Sequence, residues 1–268
     1  MVVRTRSAVK KQRDGKAKFG EVLEKHILGR RTYVDGKPKP RYRGVVHGVF
    51  TVVFFILAIV SALANFLFPK LLPLPWWGFT ALLFGKFFNY CASAVLHLYP
   101  FKTLEGGTNA LQWDLVGVAV SIGLTTFPFC RTYEEAMTAV SVTVSCVAAQ
   151  VGIVVWMFSN HSGLDTPYGK SELPRNALMV LQWFDTSVRI GRSTGWGAGW
   201  LVPSLTYVLA FVLAGPVTAS HMEEPVFEKY LPWHRRGVNS LHEDFHAVLL
   251  LADMMMVRLA VITLMGGN

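Results

Sequence analysis

Charge is scarce along most of this 268-residue chain, at 16% of residues against roughly 25% in typical soluble domains. What charge there is gathers at one end. Residues 1–43 carry fourteen Lys/Arg and four Asp/Glu, whereas the rest carry twelve and thirteen. The body of the chain therefore has no net basic surface, which excludes a nucleic-acid-binding fold, because such a fold needs its positive charge on the folded surface. Cysteine is nearly missing too. Cys91, Cys130 and Cys146 are too few for a disulfide framework and leave the redox compartment open. The N-terminal segment lacks the 7–15-residue apolar core of a secretory signal. Its RTRSAVKKQR run is faintly like a mitochondrial presequence, but Asp14, Glu21 and Glu24 follow closely. No internal repeat is evident, which disfavours an inverted-repeat transporter.

What the chain has in abundance is apolar sequence, 52% of residues. Runs near the roughly 20 residues that cross a bilayer occur at 44–68, 77–98, 109–130, 135–158, 197–220 and 241–264. A shorter stretch, Arg175–Ile190, carries Asp185 and Arg189 and reads as a seventh span, with a re-entrant or interfacial helix as its alternative. Pro- and Gly-rich connections at 68–75, 162–174 and 223–232 punctuate the runs. The expected fold is all-α: a polytopic seven-transmembrane helix bundle over residues 44–268, preceded by a basic extramembrane tail over residues 1–43.

With the tail on the inner side, inner segments hold twenty Lys/Arg and outer segments four. That is the sign the positive-inside rule asks for. In the tail, Phe19, Val22, Leu23 and Ile27 follow helical spacing among the basic residues, a pattern suited to anionic lipid or a partner protein. The sole glycosylation sequon, Asn160-His161-Ser162, falls on the inner side in this topology.

Chemistry concentrates at the inner helix ends. Ser93 and His97 lie four apart at the end of the second span, Asp114 opens the third, and His242 and His246 lie four apart at the start of the seventh. Residues four apart share a helix face, so an i, i+4 histidine pair offers two ring nitrogens to one cation. Three histidines suit zinc, which takes three or four N, O or S ligands, and ionisable groups within spans are costly enough to suggest function. An ordinary interfacial histidine remains the plain alternative for any one of them. The string His242-Glu243-Asp244-Phe245-His246 also matches the HExxH motif, with Glu243 as a rival general base, so an intramembrane metalloprotease competes. Deeper in the spans stand Lys86, ~16 Å from His97, and Asp253, ~10 Å from His246, at about 1.5 Å rise per residue. They form a candidate ion pair near the bilayer middle. Asp185 competes for Lys86, and a snorkelling lysine is the bland reading.

Ser93-x-x-x-His97, then Asp114, then His242-x-x-x-His246 in the last span resembles the hemolysin III / progestin-and-adiponectin receptor family, over about residues 43–264. The resemblance implies a seven-helix bundle with an inner N-terminus and zinc on His97, His242 and His246. It also implies that Ser93 and Asp114 hold the water used in catalysis. Members of the family are linked to hydrolysis of lipid amides such as ceramides, and others are described as receptors. The first family motif is altered here: His47 is present, but Lys39 and Pro40 stand where an acid is expected and Arg43 where asparagine is. Leu96 and Leu115 replace further motif positions. Two functions are therefore expected to compete: a zinc-dependent hydrolase or receptor acting on an amphipathic lipid, and a non-catalytic scaffold subunit of a large membrane complex, for example in the mitochondrial inner membrane.

Overall fold

The computed structural model describes residues 44–69, 74–99, 104–160, 168–219 and 241–266. These form seven helices: α1 Val45–Leu67, α2 Leu74–Leu98, α3 Leu104–Leu124, α4 Tyr133–Asn160, α5 Tyr168–Thr194, α6 Ala198–Ala219 and α7 Leu241–Leu264. A 3-10 turn, Phe127–Phe129, follows α3. No strand occurs among the described residues. The basic tail with its Phe19/Val22/Leu23/Ile27 stripe and most of the connecting segments lie outside the described residues.

Among the described residues, four helical stretches are long and apolar enough to cross a membrane: Val45–Leu67, Trp76–Leu98, Tyr133–Gly152 and Asp244–Leu264. Two shorter apolar stretches, Trp113–Phe129 and Ala198–Val212, accompany them. On α1 Phe54 and Ala58 turn inward, but most of the apolar side chains do not. Val52, Ile56, Val60 and Phe66 are each more than half exposed. An apolar surface of this extent is the mark of a lipid-facing or partner-facing helix rather than of a water-soluble one.

Local chemistry explains several helix ends. Gly44, at φ 83°, stands just before α1 in the left-handed region that glycine enters without a Cβ penalty. Pro75 occupies the second position of α2, where its missing N–H costs nothing. Within the helices, hydroxyls close on carbonyls four residues back, as with Thr51 on His47, Thr125 on Ser121 and Thr143 on Ala139. This keeps polar atoms satisfied without a partner helix.

The third run reads in sequence as one span to residue 130. The helix instead stops at Leu124, and Thr125–Thr126 lead into the turn around Pro128, a residue that cannot donate in a continuing helix. The Arg175–Ile190 stretch is a longer helix than its apolar core suggested, 27 residues from Tyr168 to Thr194. It faces two ways. Gln182 and Thr186 are buried, with Gln182 Nε2 donating to the Ala119 carbonyl at 2.8 Å, while Val180, Leu181 and Phe184 are turned outward.

α2 sits at the centre of the assembly, packed by α1, α3 and α7, and α6 lies against α7. The core is built around Phe54, Leu82, Leu83, Tyr90, Trp183, Tyr207 and Met256. Residues on the α2 face toward α7 are therefore the ones best placed to share a site.

Candidate functional site

Two polar clusters lie on that face: one where α1 and α7 begin and α2 ends, the ends expected from the sequence to face inward and called the inner cluster, and one further along the helices. The inner cluster starts from glycine. A Cβ on Gly44 would stand 2.8 Å from the His97 Cβ, and one on Gly48 would meet Leu98 at 3.3 Å. The missing side chains let the start of α1 press against the end of α2. His47, carried between the two glycines, is thereby brought beside His97, with ring centroids 5.5 Å apart. A second close approach holds α3. Gly117 lies where a Cβ would meet the Asn89 Cα at 3.1 Å, one turn from the point where the buried Ser93 hydroxyl bonds the Asp114 carboxyl.

From α7, His246 completes the group. Its ring centroid is 4.1 Å from His47, edge to face, and 6.2 Å from His97. His47 Nε2 and His246 Nδ1 are 3.1 Å apart, a hydrogen bond in which either ring can donate. Phe245 packs on the His246 ring at 4.3 Å. The structure thus brings Ser93 to Asp114 and His97 near His246, on three helices, with His47 added from a fourth. The side chains of His242 and Glu243, in the first turn of α7, lie outside the described residues, so the third expected ligand and the rival base are not placed. Among the described residues no three His, Cys, Asp or Glu side chains are arranged to hold a metal ion.

The deeper cluster is an ion pair sealed on every side. Lys86 Nζ lies 2.7 Å from Asp253 Oδ1, both side chains 2% exposed. Tyr90 donates to Asp253 Oδ2 at 2.9 Å, and the Tyr207 hydroxyl donates to Oδ1. Lys86 also reaches the Tyr207 oxygen at 3.1 Å and lies 5.4 Å from that ring's centroid. Both carboxylate oxygens are satisfied and the ammonium is neutralised, which is what a buried pair needs to offset its desolvation. Asp185 does not compete for Lys86. It pairs with Arg189 one turn along its own helix at 2.8 Å, near the surface.

Sequence reasoning named His47 only as part of an altered motif, with no role at the site, and passed over Tyr90, Tyr207 and the Gly44/Gly48 pair. The signal for His47 was present: a histidine flanked by glycines at the start of an apolar helix. Nothing local marks the tyrosines, because their hydroxyl partners come from helices more than forty residues away in the chain.

A bundle of apolar helices with a histidine, serine and aspartate cluster at one end defines a class of helical membrane protein. A family model described as Haemolysin-III related matches residues 36–257, and the chain belongs to that family. The comparison with curated proteins returned no match.

Proposed function

We propose that this chain spans the membrane seven times, holds one zinc ion at the inner end of the bundle and hydrolyses an amide bond in an amphipathic lipid. The observation that carries the reading is the Ser93–Asp114 hydrogen bond on the same end of the bundle as the neighbouring rings of His97 and His246. The donor set fits zinc. His97 and His246 are neutral nitrogen ligands from two helices, and His242, one turn before His246, is the third. When bound there, zinc polarises a carbonyl and makes water acidic enough to attack at neutral pH. Asp114 takes the proton of the attacking water, and Ser93 holds the Asp114 carboxylate in the orientation that accepts it. The two-faced α5 supports the seventh crossing: polar Gln182 and Thr186 point into the bundle and Val180, Leu181 and Phe184 point out, as lipid demands. The N-terminus lies on the inner side, and the basic tail rests on anionic lipid or a partner protein.

Purified protein is expected to hold about one zinc per chain by elemental analysis, and His246→Ala to lose it. Asp114→Asn is expected to abolish hydrolysis of a long-chain ceramide while zinc and fold are retained, with Glu243→Gln milder. The reverse ranking would favour the HExxH protease reading. Metal-free, well-folded protein would overturn the zinc reading. Zinc-loaded protein without turnover would point to the scaffold role.

A further inference from the structure

We infer that His47 is a positioning residue for this centre, the group that sets the proton on His246 and so decides which ring nitrogen of His246 carries a lone pair. The inference rests on the zinc reading above, since the observed contact is compatible with either ring as donor. His246 meets His47 through Nδ1. If His246 donates, its Nδ1 holds the proton and its lone pair is on Nε2, ready for a metal. If His47 donates, Nε2 of His246 is protonated and cannot ligate. Metal-binding histidines ordinarily donate their second ring N–H to a fixed acceptor, which orients the ring and raises its basicity. Here the acceptor is the Nε2 of another imidazole.

The surroundings suit His47 to that task. It is 3% exposed, so its ring is held by protein rather than by water. Tyr90 backs it at 5.9 Å between centroids. Tyr90 is itself fixed at both ends, stacked on Phe54 at 5.4 Å and 24° and bonded through its hydroxyl to Asp253. On the other side His97 lies 5.5 Å away, and Gly44 and Gly48 permit that approach. The sealed ion pair thus braces Tyr90, Tyr90 braces His47, and His47 holds His246.

Two measurements on the full-length protein in detergent test this. In a competition titration of zinc against a chromophoric chelator, His47→Ala is expected to bind zinc ~10–100-fold more weakly, the usual effect of losing a partner of this kind, yet still fill one site at saturation. His47→Gln is expected to recover part of the loss, because its amide oxygen accepts the same N–H. Unchanged affinity in both variants, or a loss of the whole site equal to that of His246→Ala, would overturn the assignment; the second outcome would make His47 a ligand. The other measurement needs no metal. In apo protein labelled with 15N-histidine, His246 is expected to carry its proton on Nδ1 in the wild type and to revert in His47→Ala to the Nε2–H form that neutral imidazole side chains favour. Wild-type His246 protonated on Nε2 would overturn the inference even if zinc binds. Nδ1–H in the wild type, lost in the variant, supports it even if zinc does not bind.

Discussion

The two polar clusters on the α2–α7 face use similar side chains for opposite ends. In the inner cluster, the rings of His97 and His246 are half-buried, and His246 is shared between neighbours. About two to three helical turns further along, Lys86, Asp253, Tyr90 and Tyr207 are at most 3% exposed, and both oxygens of the carboxylate are bonded. Burial of ionisable groups is costly in either place, and in the deep cluster the opposite charges offset that cost by pairing with each other. The difference teaches how to read such a bundle. Charges paired and sealed within the bundle mark a structural tie, and half-buried rings gathered at a helix end mark a candidate place for a ligand. The tie joins α2 to α7, the two helices that carry His97 and His246, so the register of the inner cluster depends on the deep one.

The largest effect expected from breaking this contrast is at the ion pair. Lys86→Met leaves Asp253 charged and buried, and Asp253→Leu leaves Lys86 so. Either single change is expected to lower stability by about 3–5 kcal/mol, whereas the double variant Lys86→Met/Asp253→Leu returns close to wild type. Thermal or denaturant unfolding in detergent, read as a double-mutant cycle, checks this. A double variant as unstable as the singles would mean that the cluster is more than a neutralised tie. Tyr90→Phe should come next, at about 1.5–3 kcal/mol for a lost hydrogen bond to a charged oxygen. Because Tyr90 backs His47, it should also weaken zinc binding where Tyr207→Phe does not. Equal zinc affinities in the two tyrosine variants would break the proposed link between the clusters.

How much of this was open to sequence reading follows from the range of each interaction. The helices were visible in the apolar runs, and the last run coincides with α7, Leu241–Leu264. The α5 helix was under-read because its first turns, Tyr168–Arg175, are polar and contain Pro174, so hydropathy alone gave no reason to extend it. Lys86 and Asp253 could be matched because each is conspicuous in an apolar helix and their depths agree. Ser93 and Asp114 could be matched because their helices are consecutive. His47 was set aside with its altered motif at Lys39, Pro40 and Arg43. Its place beside His246 depends on a contact across 199 residues of chain, and on glycines whose use appears only when the neighbouring helix is in place.

The smallest expected effect isolates those glycines. Gly44 and Gly195 both have positive φ, 83° and 78°, so alanine at either position costs about 1–2 kcal/mol of backbone strain. Their surroundings differ. A Cβ at Gly195 meets nothing within 4 Å, but at Gly44 it meets His97 Cβ at 2.8 Å and Leu98 Cδ2 at 2.9 Å. The end of the leucine can swing aside, while the histidine Cβ moves only with its helix. Gly44→Ala should therefore exceed Gly195→Ala by only about 1 kcal/mol, the low end of an overpacking cost. The functional readout should separate them more clearly than stability does. Displacing His97 disturbs the inner cluster, so zinc affinity should fall in Gly44→Ala and stay at the wild-type value in Gly195→Ala. If both variants bind zinc like wild type, the close approach of α1 to α2 has no part in forming the site. The inner cluster would then owe its geometry to the α2–α7 tie alone.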